Sequence, residues 1–416
     1  MKKTFFFSLV LMLLSVDFWG QRHTVQYVVP PSFQYSRIST FSEHLAKVEV
    51  GANRVGFMDR EGKIKFILDD AYANVGDFHS DRALVQKGEG TNAKYGYIDK
   101  RGQVVLPFRY LSAQDFSEGR AGVYSAENGW EIIDRQGKVI FGDSLIITEM
   151  PHTHGGGYYE VEPFSFHNGL MLSGREARYG YIDRAGKRSI PFQYDLASDF
   201  SDQRAIVARW LSDKPSGGKD PLDRIYAALP EGEKEGVWSI IDRKGETIYT
   251  FKDGERPDWQ HGFSCGLIGF FKDRKKGFIN TEGKIIVPAQ YPDSPYPFPY
   301  SDGVSIVQVR GQEKDNSDGY MKIVDTTGEM ISKIPFKTTY GLIIDSKMAF
   351  HEGLLSVKIQ TEPNTTFGLW GYLDKQGEVI ITPQFTTALD FHQGRAIVVT
   401  QDGRLGVLRN PLEKEH

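Results

Sequence analysis

One phrase, aromatic-Gly-aromatic-Ile-Asp-x-x-Gly, recurs along this chain about every 35 to 60 residues, and no other feature constrains the fold as strongly. It reads YGYIDKRG around Asp99, YGYIDRAG around Asp183, KGFINTEG around Asn280 and WGYLDKQG around Asp374, with looser copies at Asp59, Asp134, Asp242 and Asp325. A period of this size belongs to stacked or radial repeat arrays, in which each unit is too small to bury its own apolar face and must pack on its neighbours.

Each unit divides into three parts that read as strands. The first is the alternating segment typified by Tyr95, Gly96, Tyr97 and Ile98. It ends in a turn opened by Asp and closed three residues later by Gly, as in Asp99 with Gly102, Asp183 with Gly186, and Asp374 with Gly377. Asp accepts hydrogen bonds from amides further along the turn, and Gly accepts the positive φ of a type I turn with a G1 bulge, so both are structural residues. The second part is a β-branched run such as Val104–Val105–Leu106, followed by Pro107, Pro191, Pro288 or Pro383 in the corresponding copies. Proline lacks the backbone donor and is expected to end this strand or to lie on an exposed edge. The third part begins with an aromatic and a polar pair, as in DFSEGRAGV from Asp115 and DFHQGRAIV from Asp390, with related versions led by Phe41, Phe78, Phe166, Trp259 and Tyr300. Its aromatic anchors a loop, and its apolar tail forms a third strand.

These parts predict an all-β chain of tandem three-stranded antiparallel repeats, about eight full units plus split terminal halves. The chain enters at the second part of a unit, VVPPSFQY around Pro31, and leaves after the first part, Gly403 to Leu408. Two fragments that complete one shared unit suit a propeller-like ring closed by its ends. An open curved β-solenoid with incomplete caps is the alternative.

The units resemble the WG, or KWG, repeat of bacterial proteins, whose typical unit reads close to KWGYIDKTGK, then a V-I-P strand and an F-S-E-G-L-A-x-V segment. Trp370–Gly371 matches literally; Tyr95, Tyr179 and Lys276 replace Trp elsewhere, and Glu131, Ser239 and Lys322 stand in place of Gly. The resemblance implies an interaction scaffold without catalytic residues or a cofactor.

Residues 1–20 have the grammar of a signal peptide: Lys2 and Lys3, an apolar run from Phe5 to Leu14 too short to span a bilayer, and a polar exit, with cleavage expected after Gly20. The array then occupies 21–416, interrupted by loop insertions at 143–163, 211–236, 312–319 and 334–347. Export to the periplasm, cell surface or medium is the expected location. Fifty Lys and Arg against 54 Asp and Glu, interspersed without blocks, point away from nucleic acid. Cys265 is the only cysteine, so no intrachain disulfide forms.

Six histidines, His44, His79, His167, His261, His351 and His392, fall in or beside the aromatic-polar-polar loops of successive units. A metal would need three or four ligands within about 2 to 2.3 Å, which loops one unit apart meet only by converging on a central channel. There is no HExxH motif or P-loop. The repeated Asp residues are accounted for by turns, leaving little surplus for a glycosidase pair spaced at about 5 or about 6.5 to 9.5 Å. Candidate partner-binding residues are those that break the repeat: His152, His154, Tyr158, Tyr159 and Glu160 in the first insertion, with Trp210 and Trp259. A non-catalytic scaffold for a protein partner is the leading expectation. Binding of a glycan or envelope polymer follows, and a propeller-type hydrolase comes last.

Overall fold

A computed structural model describes residues 24–414 apart from 52–53, 69–71, 143–163, 176–177, 211–235, 259–260, 293–298, 310–319, 336–341, 344–347 and 361–366. The expected signal segment and the candidates His152, His154, Tyr158, Tyr159, Glu160 and Trp259 lie outside the described residues. The described strands form nine antiparallel sheets, the blades of a β-propeller ring. Numbered along the chain, blade 2 runs Asn74–His79, Arg82–Lys87, Lys94–Ile98 and Val104–Tyr110, in that order across the sheet. Blade 3 repeats this order with Ser112–Ala113, Arg120–Ser125, Gly129–Asp134 and Val139–Gly142. The strands of blade 1 fall within 35–67, and those of blades 4 to 8 within 166–194, 196–250, 255–292, 304–335 and 342–385.

The ring alternative therefore holds, with closure in the expected place. Strand Tyr27–Ser32 completes blade 9 by pairing with Leu405–Arg409 in the register Tyr27↔Leu408, Val29↔Val407 and Ser32↔Leu405. The closing interface is packed like the others: Val28 and Val29 join Tyr35, Val48, Met58, Ile397 and Val407 in one apolar cluster.

Most blades hold a fourth strand beyond the three read from the sequence. It is a short piece ahead of the aromatic of the third part, only two residues long at Ser112–Ala113, Leu196–Ala197 and Thr387–Ala388. Two residues are too few to show an alternating pattern. The proline-bearing strand is the last in its sheet and runs through its proline, as in Val104–Tyr110 and Val379–Phe385. Of the two expectations for proline, the edge position is the one observed, and the strand does not end there. The insertion expected at 334–347 also begins later, because Ile334 belongs to strand Met330–Pro335.

The core lies between blades. Tyr97, Leu106 and Tyr110 of blade 2 pack on Ala113, Phe116, Ala121, Val123 and Ile133 of blade 3. The aromatic after the repeat glycine meets the third-part aromatic of the next blade edge-on, Tyr97 with Phe116 at 4.8 Å and Tyr181 with Phe200 at 4.7 Å between ring centroids. Each of these tyrosines also donates its hydroxyl to the next blade, Tyr97 to the Gln114 carbonyl at 2.6 Å and Tyr181 to that of Ser198 at 2.7 Å.

Candidate functional site: the two faces of the ring

Strands alternate in direction, so the turns of a blade divide between two faces. Turns joining first to second and third to fourth strands share one, here the hub face. Turns joining second to third strands, and links between blades, share the other.

On the hub face the aromatic-polar-polar-Gly segment is a two-residue hairpin turn. In blade 1, Ser42 and Leu45 exchange both backbone hydrogen bonds, while Glu43 and His44 take φ of 47° and 71°. Positive φ at both central positions is the type I′ geometry, which explains the frequent Gly at the second. The first central side chain reaches the turn of the next blade and accepts a hydrogen bond from its backbone. Asp81 N–H donates to Glu43 at 2.9 Å, Gly119 to Ser80 at 3.0 Å, Gly169 to Glu118 at 2.8 Å, and Gln203 to Asn168 at 2.8 Å. Gly266 then donates to Asp202 at 2.7 Å, Gly303 to Cys265 Sγ at 3.2 Å, and Gly353 to Asp302. Gly394 donates to Glu352 at 2.7 Å, and His44 to Gln393 at 2.6 Å, which returns to blade 1. Nine links make a closed circle. Because each step spans one side chain and one hydrogen bond, its perimeter is short, which places these turns nearest the ring axis.

The Asp-x-x-Gly turns lie around this circle on the same face. Asp183 shows the pattern: its Oδ1 accepts from Ala185 N–H and Lys187 N–H at 2.9 Å each, and Gly186 has φ of 84°. The expected type I turn with a G1 bulge is thus present, with Gly186 N–H donating to the Asp183 carbonyl at 3.0 Å. The residue after the Asp is often basic and neutralises the inner acids: Lys100 pairs with Glu43 at 3.0 Å and Asp81 at 2.7 Å, and Arg135 with Asp81 at 2.8 Å. Arginines that open the second strand add a fork between blades. Arg120 donates from Nε to the Arg184 carbonyl at 3.1 Å and from a terminal nitrogen to the Gly119 carbonyl at 3.0 Å. This face is occupied with holding the ring together.

The long insertions attach at the opposite face. Segment 211–235 joins the second and third strands of blade 5, Ala205–Trp210 and Gly236–Ile241, and segment 310–319 does the same between Val304–Val309 and Tyr320–Asp325. Segments 143–163 and 336–341 follow the last strands of their blades, Val139–Gly142 and Met330–Pro335. Trp210 ends its strand at this face.

The sequence assigned Trp259 and His261 to the polar-pair loop of their unit, and the structure corrects this. The turn of blade 6 is Ser264–Leu267, and its anchoring aromatic is the buried Phe263. A second aromatic-x-His-Gly segment, Trp259 to Gly262, stands just upstream of the true turn and has the same pattern. His261 instead sits 3.0 Å from Asp258, which also holds Lys276 at 2.8 Å. Asp258 and Lys276 are buried, and Lys276 occupies the place of the repeat Trp. Burial alone would raise the Asp258 pKa; the Lys276 charge and the His261 hydrogen bond outweigh it and hold the carboxyl below its ordinary range.

Five blades place Ser and four place His immediately before the two-residue turn: His79, His167, His351 and His392. Ser42, Ser117 and Ser301 each donate at 2.6 Å to a phenylalanine carbonyl of the following blade. Among the described residues, no three His, Cys, Asp or Glu come together as a metal site would require. One 410 Å³ cavity lies at the closing seam, lined by residues including His44, Arg60, Glu352 and Gln393. Its rim is held by the C-terminal segment, where Glu413 pairs with Arg60 and, at 2.7 Å, with the buried Arg395.

The family model of the WG containing repeat matches residues 95–126, 179–208, 277–312 and 370–404. These stretches begin at the third strands of blades 2, 4, 6 and 8. No curated protein matches the chain. Among solved structures, BamB from Moraxella catarrhalis superposes with a TM-score of 0.40 at 14% identity, over 92% of this chain and 99% of that one. The C-terminal WD40 domain of Sif2 gives 0.37 at 9%, over 94% and 100%. Quinohemoprotein alcohol dehydrogenase from Comamonas testosteroni gives 0.35 at 10%, over 95% and 79%.

Proposed function

From four matches to the WG containing repeat in a chain closed into a nine-bladed ring, we propose an exported, non-catalytic scaffold that binds a protein partner through the face carrying the insertions. One observation supports this reading above the rest: the two faces are used differently. The hub face spends its polar groups on neighbouring blades, through nine turn-to-turn bonds and the ion pairs around them. The strands flanking 143–163, 211–235, 310–319 and 336–341 all open toward the other face. Loops on a rigid repeat frame vary without disturbing it, and a shared face lets several of them contact one partner.

The test replaces 211–235 with the short connection that blade 6 uses between Lys272 and Lys275, and separately shortens 143–163. Affinity capture from the source organism's envelope and medium fractions should lose at least one protein partner with each variant, while circular dichroism of the ring is unchanged. Retention of every partner by both variants would defeat the assignment. Capture of a polysaccharide that survives protease treatment of the partner fraction would transfer the reading to an envelope polymer.

A further inference from the structure

We propose that blade 9 is an acid-sensitive closure: its strands Thr387–Ala388, Arg395–Val399 and Leu405–Arg409 release from the N-terminal strand and from blade 8 when the contact between His351 and His392 takes up a proton. Two independent features meet in this sector.

The first is connectivity. Blade 9 alone takes its fourth strand from the far end of the chain, so the pairing of Leu405–Arg409 with Tyr27–Ser32 has no covalent turn to restrain it. The chain after Arg409 substitutes for that turn. Asn410 donates to the Glu352 carbonyl at 3.0 Å, and Glu413 bridges Arg60 and Arg395. Such a segment can open as a local unit below the free energy of global unfolding.

The second is the histidine pattern. Of the four blades with His before the turn, only 8 and 9 are neighbours, and their rings lie 5.1 Å apart between centroids. A proton on His392 sets a cation against the His351 ring at the interface that must hold. Asp390, 3.6 Å from His351, and Glu352 are the carboxylates acting here. Burial first, and then the His351 charge, press the His392 pKa below its ordinary value despite those two acids. A histidine depressed in the folded state favours folding above its unfolded pKa, and that contribution is lost as pH falls through the folded one. Glu413 is also held below its ordinary value: burial would raise it, but Arg395 and Arg60 prevail. It therefore keeps its charge while His392 takes up a proton.

Hydrogen-exchange protection factors test the proposal on the intact chain between about pH 7.5 and about pH 5.5. Amides of Tyr27–Ser32 and Leu405–Arg409 should lose protection severalfold as pH falls, while those of Arg178–Asp183 in blade 4 hold theirs. Serine occupies the same position in five other blades, so the double variant His351→Ser, His392→Ser should fold and abolish the pH dependence. The single variant His392→Ser should reduce it and serves if the double does not fold. Glu413→Gln should lower seam protection at every pH in the window and leave the pH dependence in place. Equal acid loss in blade 4 and the seam, or a response that survives in the serine variants, would overturn the proposal.

Discussion

The glycine of the aromatic-Gly-aromatic phrase acquires its reason only in three dimensions. In blade 4, a Cβ on Gly180 would lie 2.4 Å from the Pro191 carbonyl oxygen and 2.5 Å from that of Ile190. The edge strand bulges there: Tyr179 pairs with Tyr194 and Tyr181 with Ile190, so extra residues crowd onto one position of the partner. Three blades whose edge strand has no such bulge carry Glu131, Ser239 and Lys322 in the glycine's place, while blade 1 keeps Gly56 opposite Ile67 without one. Lys322 of blade 7 pairs with Lys333 in an unbroken stretch from Tyr320↔Pro335 to Ile323↔Ser332. Proline and glycine are thus two halves of one device. Gly180→Ala should cost about 3 kcal/mol, an overpacking penalty against backbone that cannot step aside, whereas Lys322→Ala should stay within about 1 kcal/mol. Denaturant melts of the two variants check this, and equal costs would reject the pairing. The sequence displayed this co-occurrence of Gly and Pro, yet its meaning depended on register. The Asp and Gly of the hairpin turn were readable at once, because everything they bond lies within five residues of chain.

Among the strands, legibility followed length and locality. The hairpin and the strand after the two-residue turn showed alternation over enough residues to be recognised. The two-residue first strands did not, since their pairing partners supply most of their definition. The misplaced turn of blade 6 shows the same limit, because two aromatic-led segments in a row look alike until strand pairing chooses Phe263. The insertions stand out in the sequence as departures from the period, but which face they join is set by strand direction across whole sheets. Tyr27–Ser32 is the strand whose removal should tell most. Deleting residues through Ser32 exposes the edge of Leu405–Arg409 and strips Val28 and Val29 from their cluster, a loss of roughly 5 kcal/mol by burial of apolar side chains. A synthetic peptide of that strand should restore the melting temperature in proportion to its concentration, as any ligand of the folded state does. Absence of rescue would show that the strand closes the ring less than its register suggests.

For the molecule as a whole, the sequence carried the unit and the phase of its ends but left ring and solenoid both open, because closure is a property of the sum of nine rotations and no single unit contains it. What the hub adds is a statement about order. Its nine links run one way around, each turn gripping the amide of its successor, and the link from Gln393 to His44 crosses the chain ends as if they were not there. A circle of this kind has no first member. The ends of the polypeptide are therefore a choice of where to cut, and the cut can be moved: a permutant with its old termini joined by a flexible linker and new ones opened in the exposed turn at Gly90–Asn92 should form the same ring. Its near-ultraviolet circular dichroism should overlay that of the parent, and the closure in the permutant should pass to blade 2, between strands Arg82–Lys87 and Lys94–Ile98.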